Sequence, residues 1–318
     1  MALVGERILI DCDPGHDDAV ALLMALAGRD LFDVVGVTTV AGNIDVAQAE
    51  RNARAVCALA GRADVAVRAG CARPLVHPLR DASDFHGTTG LDGLAPLPPV
   101  GAHPEHAVDF IVACLGAARE PLTLVCLAPL TNVAMALIKA PHIAAKIKEI
   151  VFMGGARSAG GNVTPCATFN LVCDPHAAHV VFESGCPLSI VSLDATARVV
   201  VGRETLARIA RLGGAVAQAA FRMLDFFNRR RIEVYGYGED QTSLNDPCVI
   251  AYLLDRSLFA GRRTNVAVEH RSDLTMGMTV VDFLGRTGRP ANALWLDGAD
   301  AAGVLDMLVT TLGRYPAG

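Results

Sequence analysis

The chain has 318 residues, 52% of them apolar and 19% charged, with 28 basic against 33 acidic side chains and a net charge of −5. That composition supplies a large core and lacks the basic blocks that nucleic acid as a main partner requires. The longest uncharged run, 121–138, only just reaches the ~18 residues of a membrane span and is interrupted by Pro129, Thr131 and Asn132. The nine cysteines lie mostly in apolar stretches, form no CxxC pair and are odd in number, so they read as free thiols of a reducing, cytoplasmic compartment. Glu6, Arg7 and Asp11 interrupt any apolar leader.

Strand and helix signals alternate along the chain. Ile8–Cys12 reads as a strand followed by a helix opened by Asp17-Asp18, and Val34–Val40 as a strand followed by a helix over 46–60. After a short strand at 65–68, the Pro/Gly/His-rich stretch 71–104 is too long for a simple connection and is expected to be a lid or to contain short elements. A helix over 105–118, a strand over 122–127, a helix capped by Thr131 and a strand over 149–153 follow. Asp174-Pro175 opens another helix after the loop 154–173, with the pattern of a cap and then proline at the first position. A strand at 188–193, helices over 203–231, a polar loop over 232–245 and a helix opened by Asp246-Pro247 come next. Three short strands at 264–270, 278–283 and 292–296 and a helix over 299–312 complete the chain. This order predicts an open, mainly parallel twisted α/β sheet with helices on both faces, in one domain spanning 1–318.

The densest chemical signal is Asp11-Cys12-Asp13-Pro14-Gly15-His16-Asp17-Asp18, four carboxylates directly after an apolar strand. A helix cap needs one acid, not four, and unpaired like charges desolvate badly. Oxygen donors of this kind suit Ca2+ or Mg2+ rather than zinc. Ligands of open α/β sheets bind at the carboxyl ends of the strands. Those ends carry Asn43, Asn132, Met153 and the loop residues Asn162, Thr168 and Asn170, with Asn245-Asp246 on the late loop. Amides and carboxylates with almost no cation suit a neutral polyhydroxylated ligand plus a metal, not a phosphate. His176 and His179 lie at i,i+3 without an HExxH pattern and read as surface or packing residues, and Trp295 as core.

The string DCDPGHDDAVALLMAL resembles the N-terminal fingerprint of the inosine-uridine nucleoside hydrolases. The similarity continues through TTVAGN (38–43), HGTTGLDG (86–93), LAPLTNVAMAL (127–137), VFMGGA (151–156), GNVTPCATFNLVCDPHAA (161–178) and NDPCVIAY (245–252). The resemblance implies a Rossmann-like nucleoside hydrolase fold, hydrolysis of the N-glycosidic bond of ribonucleosides, one Ca2+ and a homodimer or homotetramer. It assigns Asp13, Asp18, Asp246 and the carbonyl of Leu127 to the metal. Asp13 is also the general base on a water beside that metal. Asp17 and Asn43 are given to the ribose hydroxyls, and Asn162, Asn170 and Met153 to the ribose surroundings. Asn170 counts with Asp13 as catalytic, His86 belongs to the substrate-binding set, and Asp11 is a buried acid that orients the ligands.

Two positions depart from the family pattern. Thr168 stands where a glutamate contacts the 5′-hydroxyl, and Asn245 stands where a histidine protonates the leaving base. Tyr235, Tyr237, Glu239 and Asp240, with His86 next, are the candidates for that proton. The departures motivate an alternative, a nucleoside- or sugar-binding protein with little hydrolysis. A phosphohydrolase of the aspartate-nucleophile type is disfavoured by Pro14 directly after the DxD acids and by the lack of a phosphate-clamping lysine.

Overall fold

The first strand, β1 (Glu6–Cys12), is buried from Ile8 to its end, as a strand covered on both faces must be. The computed structural model describes residues 5–94, 101–235 and 243–317, the side chains of Val234 and Tyr235 excepted. In chain order β1 is followed by α1 (His16–Leu26), β2 (Phe32–Thr39), α2 (Val46–Leu59), β3 (Val67–Ala69), α3 (Ser83–His86), α4 (Ala107–Ala117), β4 (Leu122–Cys126), α5 (Thr131–Lys139) and β5 (Ile147–Met153). Then come α6 (Phe169–Cys173), α7 (Pro175–Phe182), β6 (Leu188–Val191), α8 (Leu193–Thr196), α9 (Arg203–Arg211), α10 (Gly214–Tyr235), α11 (Asp246–Leu254), β7 (Phe259–Val268), β8 (Thr279–Asp282), β9 (Ala293–Ala299) and α12 (Ala301–Leu312).

The strands form a sheet in the order β3-β2-β1-β4-β5-β6-β9-β7-β8. In that order the strands from β3 to β9 run parallel, and β7 is antiparallel to both of its neighbours. Side chains alternate faces along β1: Ile8, Ile10 and Cys12 enter the core shared with α1, α2 and α9 to α12, whereas Leu9 enters the core shared with α4, α5 and α7. The fold class read from the alternation holds, and Trp295 is fully buried as expected. All nine cysteines are free. Among the described residues no helix is long and apolar enough to cross a membrane.

Two features of this layout position the site. The chain leaves β1 towards β2 on one side, while β4 pairs with β1 on the other, so β1 and β4 flank a topological switch point where a crevice opens. Every residue of α1 is buried, its apolar side chains wrapped by the sheet and by α2, α10, α11 and α12. The acids of its first turn are therefore carried inside the protein rather than at its surface.

Some local expectations change. Thr131 does not cap α5: Leu130 occupies the cap position, and the Thr131 hydroxyl instead donates to Asp174 Oδ2 at 2.7 Å. The stretch 71–104 contains α3, the loop 154–173 ends in α6, and α10 continues to Tyr235, into the expected polar loop. Asp174 does cap α7, its Oδ1 accepting from Ala177 N at 2.9 Å, while Oδ2 also accepts from Leu75 N at 2.9 Å. One buried carboxylate thus ties α5, α7 and the 71–82 segment together. Asp174→Ala is expected to destabilise the fold by about 2–4 kcal/mol, a lost cap plus two donors left unsatisfied. A urea-unfolding midpoint equal to that of wild type would show that the tie contributes nothing.

Candidate active site

The turn after β1 begins the site. Pro14 and Gly15 reverse the chain, and Asp18 folds back over the turn, accepting from Asp13 N through Oδ1 and from Gly15 N through Oδ2, each at 3.2 Å. Asp18 thereby satisfies the N–H of Gly15 at the start of α1 and is held in place by the backbone it caps. Asn43, after β2, clasps the same acids. Its main-chain N–H donates to Asp13 Oδ2 at 2.7 Å, and its amide nitrogen reaches Asp13 Oδ1 at 3.2 Å and Asp18 Oδ2 at 3.1 Å. Gly42 is required beside it, because a Cβ there would sit 2.0 Å from Asp13 Oδ2.

Asp246, the first residue of α11, arrives from the far end of the chain. Carboxylate oxygens of Asp17, Asp18 and Asp246 lie within 4.8 Å of one another, and all three residues are buried. Asp13, fully buried beside Asp18, is turned towards Asn43 and does not belong to that trio. Residues read as metal ligands and as ribose ligands are thus brought to one place, Asp17 beside Asp18 and Asp246. The Leu127 carbonyl, at the end of β4, accepts from the Asn170 amide at 2.6 Å, and the same amide reaches the Met153 carbonyl at 3.1 Å. Both amide protons of Asn170 are used in this way, leaving its Oδ1 to accept.

Asp11 lies below this layer, on the opposite face of β1 from Cys12. Its Oδ1 accepts from Thr38 Oγ1 at 2.6 Å and Asn132 Nδ2 at 2.8 Å, while Oδ2 is buried without a partner. Burial raises its carboxyl to about 7. Asn132 also donates to the Thr39 carbonyl and accepts from Cys71 N, so it joins three strand ends through one side chain.

The electrostatics are those of crowded anions. Burial first, and repulsion from Asp17 second, raise Asp18 to about 7. Burial and the neighbouring acids hold Asp13 and Asp246 well above the usual carboxylate range, and burial raises Asp17 as well. Arg231 on α10 opposes the shift at Asp17. A hard divalent cation fits this donor set, because only oxygens are presented and the repulsion needs a positive charge to offset it.

Above the acids opens a cavity of about 100 Å³ that is continuous with solvent. Its lining contains Asp17, Asn43, His86, Leu127, Met153, Asn162, Thr168, Asn170 and Asp246, each of which the sequence had singled out. Thr168 is nearly inaccessible, and its hydroxyl accepts from Gly155 N at 3.0 Å. Asn245 also lines the cavity, its side-chain amide oxygen accepting from Thr196 Oγ1 at 2.9 Å. Tyr237, Glu239, Asp240 and the side chain of Tyr235 lie outside the described residues.

Sequence reasoning missed Phe85, Phe227 and Arg231, which also line the cavity. Arg231 is the cation that the strand-end census lacked, because it comes from a helix rather than a strand end. It missed also the support of His86. His16 Nε2 lies 2.9 Å from the Asp92 carbonyl, and His16 Nδ1 lies 3.2 Å from His86 Nδ1. Burial depresses both rings, His16 to about 4. A neutral His86 is a poor acid towards a leaving group.

The model of the inosine-uridine preferring nucleoside hydrolases matches residues 8–306. The chain is 42% identical over 314 residues to the pyrimidine-specific ribonucleoside hydrolase RihA of Shewanella sp. (strain ANA-3), covering 98% of each chain. It is 41% identical over 314 residues to RihA of Photobacterium profundum, covering 98% of this chain and 100% of that one. Among solved structures, a purine-preferring ribonucleoside hydrolase from Gardnerella vaginalis superposes with a TM-score of 0.89 at 28% identity, covering 97% of this chain and 98% of that one.

The raised carboxyls carry a stability prediction. A carboxyl raised in the folded state binds protons more readily there than in the unfolded chain. Its favourable contribution is therefore full below about pH 4 and is lost as pH rises through the folded value, about 7 for Asp18. Chelator-treated protein should lose stability between pH 5 and 8. Asp246→Asn, removing one of the crowded acids, should recover part of that loss at pH 8. Thermal melts at both pH values test this; a flat wild-type profile contradicts it.

Proposed function

The chain belongs to the inosine-uridine preferring nucleoside hydrolase family and is a ribonucleoside hydrolase, and on that premise we propose that it is a Ca2+-dependent N-ribohydrolase of pyrimidine ribonucleosides with Asp13 as general base. One observation carries the reading: acids from both ends of the chain meet within 4.8 Å beneath a cavity walled by amides. The pyrimidine preference follows the name of the 42%-identical relative. The domain is proposed as single over 1–318, in the cytoplasm, as a homodimer or homotetramer, with no nucleic-acid or membrane partner.

Asp18, Asp246, Asp13 and the Leu127 carbonyl would hold the cation, with Asp17 at its edge. Bound there, Ca2+ would supply a fixed positive charge that lowers the pKa of water and anchors vicinal hydroxyls. The remaining work falls to this chain's own groups. Asp13, fixed by two hydrogen bonds from Asn43 to its carboxylate, is poised to take a proton from the attacking water. Asp17 and the free Oδ1 of Asn170 accept from ribose hydroxyls, and Met153 lies beneath the sugar. As the N-glycosidic bond breaks, positive charge develops on the ribose ring, and the surrounding carboxylates and amide oxygens stabilise it. The base departs past Asn245, which has no proton to give, and the proton taken from water by Asp13 returns through solvent to the departing base.

The test is a panel of purine and pyrimidine ribonucleosides, following free ribose and base with and without a chelator. Pyrimidine substrates should turn over, and chelation should abolish turnover until Ca2+ is restored. Asp13→Asn should lower kcat by at least ~100-fold, as expected for loss of a general base, with the melting profile retained. Tight binding without base release would instead favour the binding-protein reading, and wild-type turnover by Asp13→Asn would remove Asp13 from the mechanism. Asn245→His should raise the rate on inosine and uridine. No gain would mean that the departing base needs no acid at that position.

A further inference from the structure

Four of the nine histidines gather away from the carboxylate site. His176 and His179 project from α7 one turn apart, His270 follows β7, against which α7 packs, and His77 comes from the segment after β3. The rings run as a chain: His77 to His176 at 5.1 Å between centroids, His176 to His270 at 5.4 Å, and His270 to His179 at 4.3 Å. The two residues at helical spacing, read from the sequence as packing or surface, thus acquire two partners from distant segments.

The nitrogens are what distinguish this cluster from packing. His270 Nδ1 lies 3.1 Å from the Val268 carbonyl, a contact that requires the proton on Nδ1 and leaves Nε2 as a bare lone pair. Metal-binding histidines are oriented in this way, by the second nitrogen donating to a backbone carbonyl. His77 Nε2 and His176 Nδ1 are shielded from solvent and have no hydrogen-bond partner. A buried unpaired polar atom costs about 1–3 kcal/mol, so stacking alone is an expensive use of these rings. Burial and the neighbouring imidazoles keep His176 and His179 below their ordinary pKa, hence neutral and able to ligate. The two segments are tethered: Asp174 caps the helix that carries His176 and accepts from Leu75 N, two residues before His77.

We propose that His77, His176, His179 and His270 form a second metal site, specific for a borderline divalent ion of the Zn2+, Co2+ or Ni2+ class. Imidazole donors suit such ions and discriminate against Ca2+, whereas the carboxylate site offers only oxygens, so the two sites differ in the ions they select. Among the described residues only Asp17, Asp18 and Asp246 already bring three ligand atoms within 4.8 Å of one another. Binding at the histidines therefore rotates rings out of their present contacts, one stacked and two tilted or edge-on, to converge on one ion. The same ion would clamp α7 to the segment that runs on to Phe85 and His86 in the cavity wall.

The experiment uses full-length protein without a polyhistidine tag, stripped by chelator and held in excess Ca2+ to fill the carboxylate site. Titration with Co2+ should give about one equivalent bound, with the visible absorption of a nitrogen-coordinated ion, displaced by Zn2+. The double variant His176→Ala/His179→Ala should weaken Co2+ binding by at least ~10-fold while uridine hydrolysis in Ca2+ stays at the wild-type rate. His77→Gln, in a segment where Val76 and Leu79 are exposed, must weaken binding in the same direction and keeps the test decisive if the double variant misfolds. Absence of Co2+ uptake in excess Ca2+ overturns the proposal. So does uptake that is unchanged in the histidine variants.

Discussion

Mutual repulsion among buried carboxylates governs how this protein is built. At 4.8 Å, the outer limit of their separation, and an effective dielectric of ~20, two ionised carboxylates repel by roughly 3.5 kcal/mol, and Asp17, Asp18 and Asp246 make three such pairs when all are ionised, on top of the penalty of burying each. The fold sustains this through the backbone and amide donors on Asp13 and Asp18, and by fixing the acids on a helix that cannot retreat to solvent. A protein optimised for stability alone would replace these acids. Their retention in the core marks a site that trades stability for the binding of positive charge.

Much of this was legible because it is local. The acids of 11–18 follow an apolar strand without interruption, and strand-end residues of a parallel sheet share one edge by topology. Asn43, Met153 and Asn170 therefore reach the cavity as their positions after β2, β5 and the following loop require. The joining of Asp246 to Asp18 was legible only through the family resemblance, since nothing in local patterning relates the two ends of the chain.

What stayed hidden depends on long-range packing. Thr131 looked like a cap, yet its hydroxyl is drawn off by Asp174, forty-three residues away. Phe85, Phe227 and Arg231 approach the cavity from α3 and α10, and their helices carry no signal of which side chain faces a distant strand end. His16 sits inside the acidic motif of 11–18, and only the fold shows that it braces His86. The histidine cluster illustrates the same limit: spacing on one helix reveals two donors, while the other two come from separate segments.

The two departures from the family pattern are both tied inward, Asn245 to Thr196 and Thr168 to the Gly155 amide. Each is thus an integrated part of this cavity. The proposed chemistry requires that the carboxylate cluster hold one hard cation beneath the sugar. A crystal structure with Ca2+ and ribose decides that point. A single ion is expected at about 2.3–2.6 Å from Asp18, Asp246 and the Leu127 carbonyl, with ribose hydroxyls completing its shell. Ribose bound in the cavity with no ion among these oxygens would refute it.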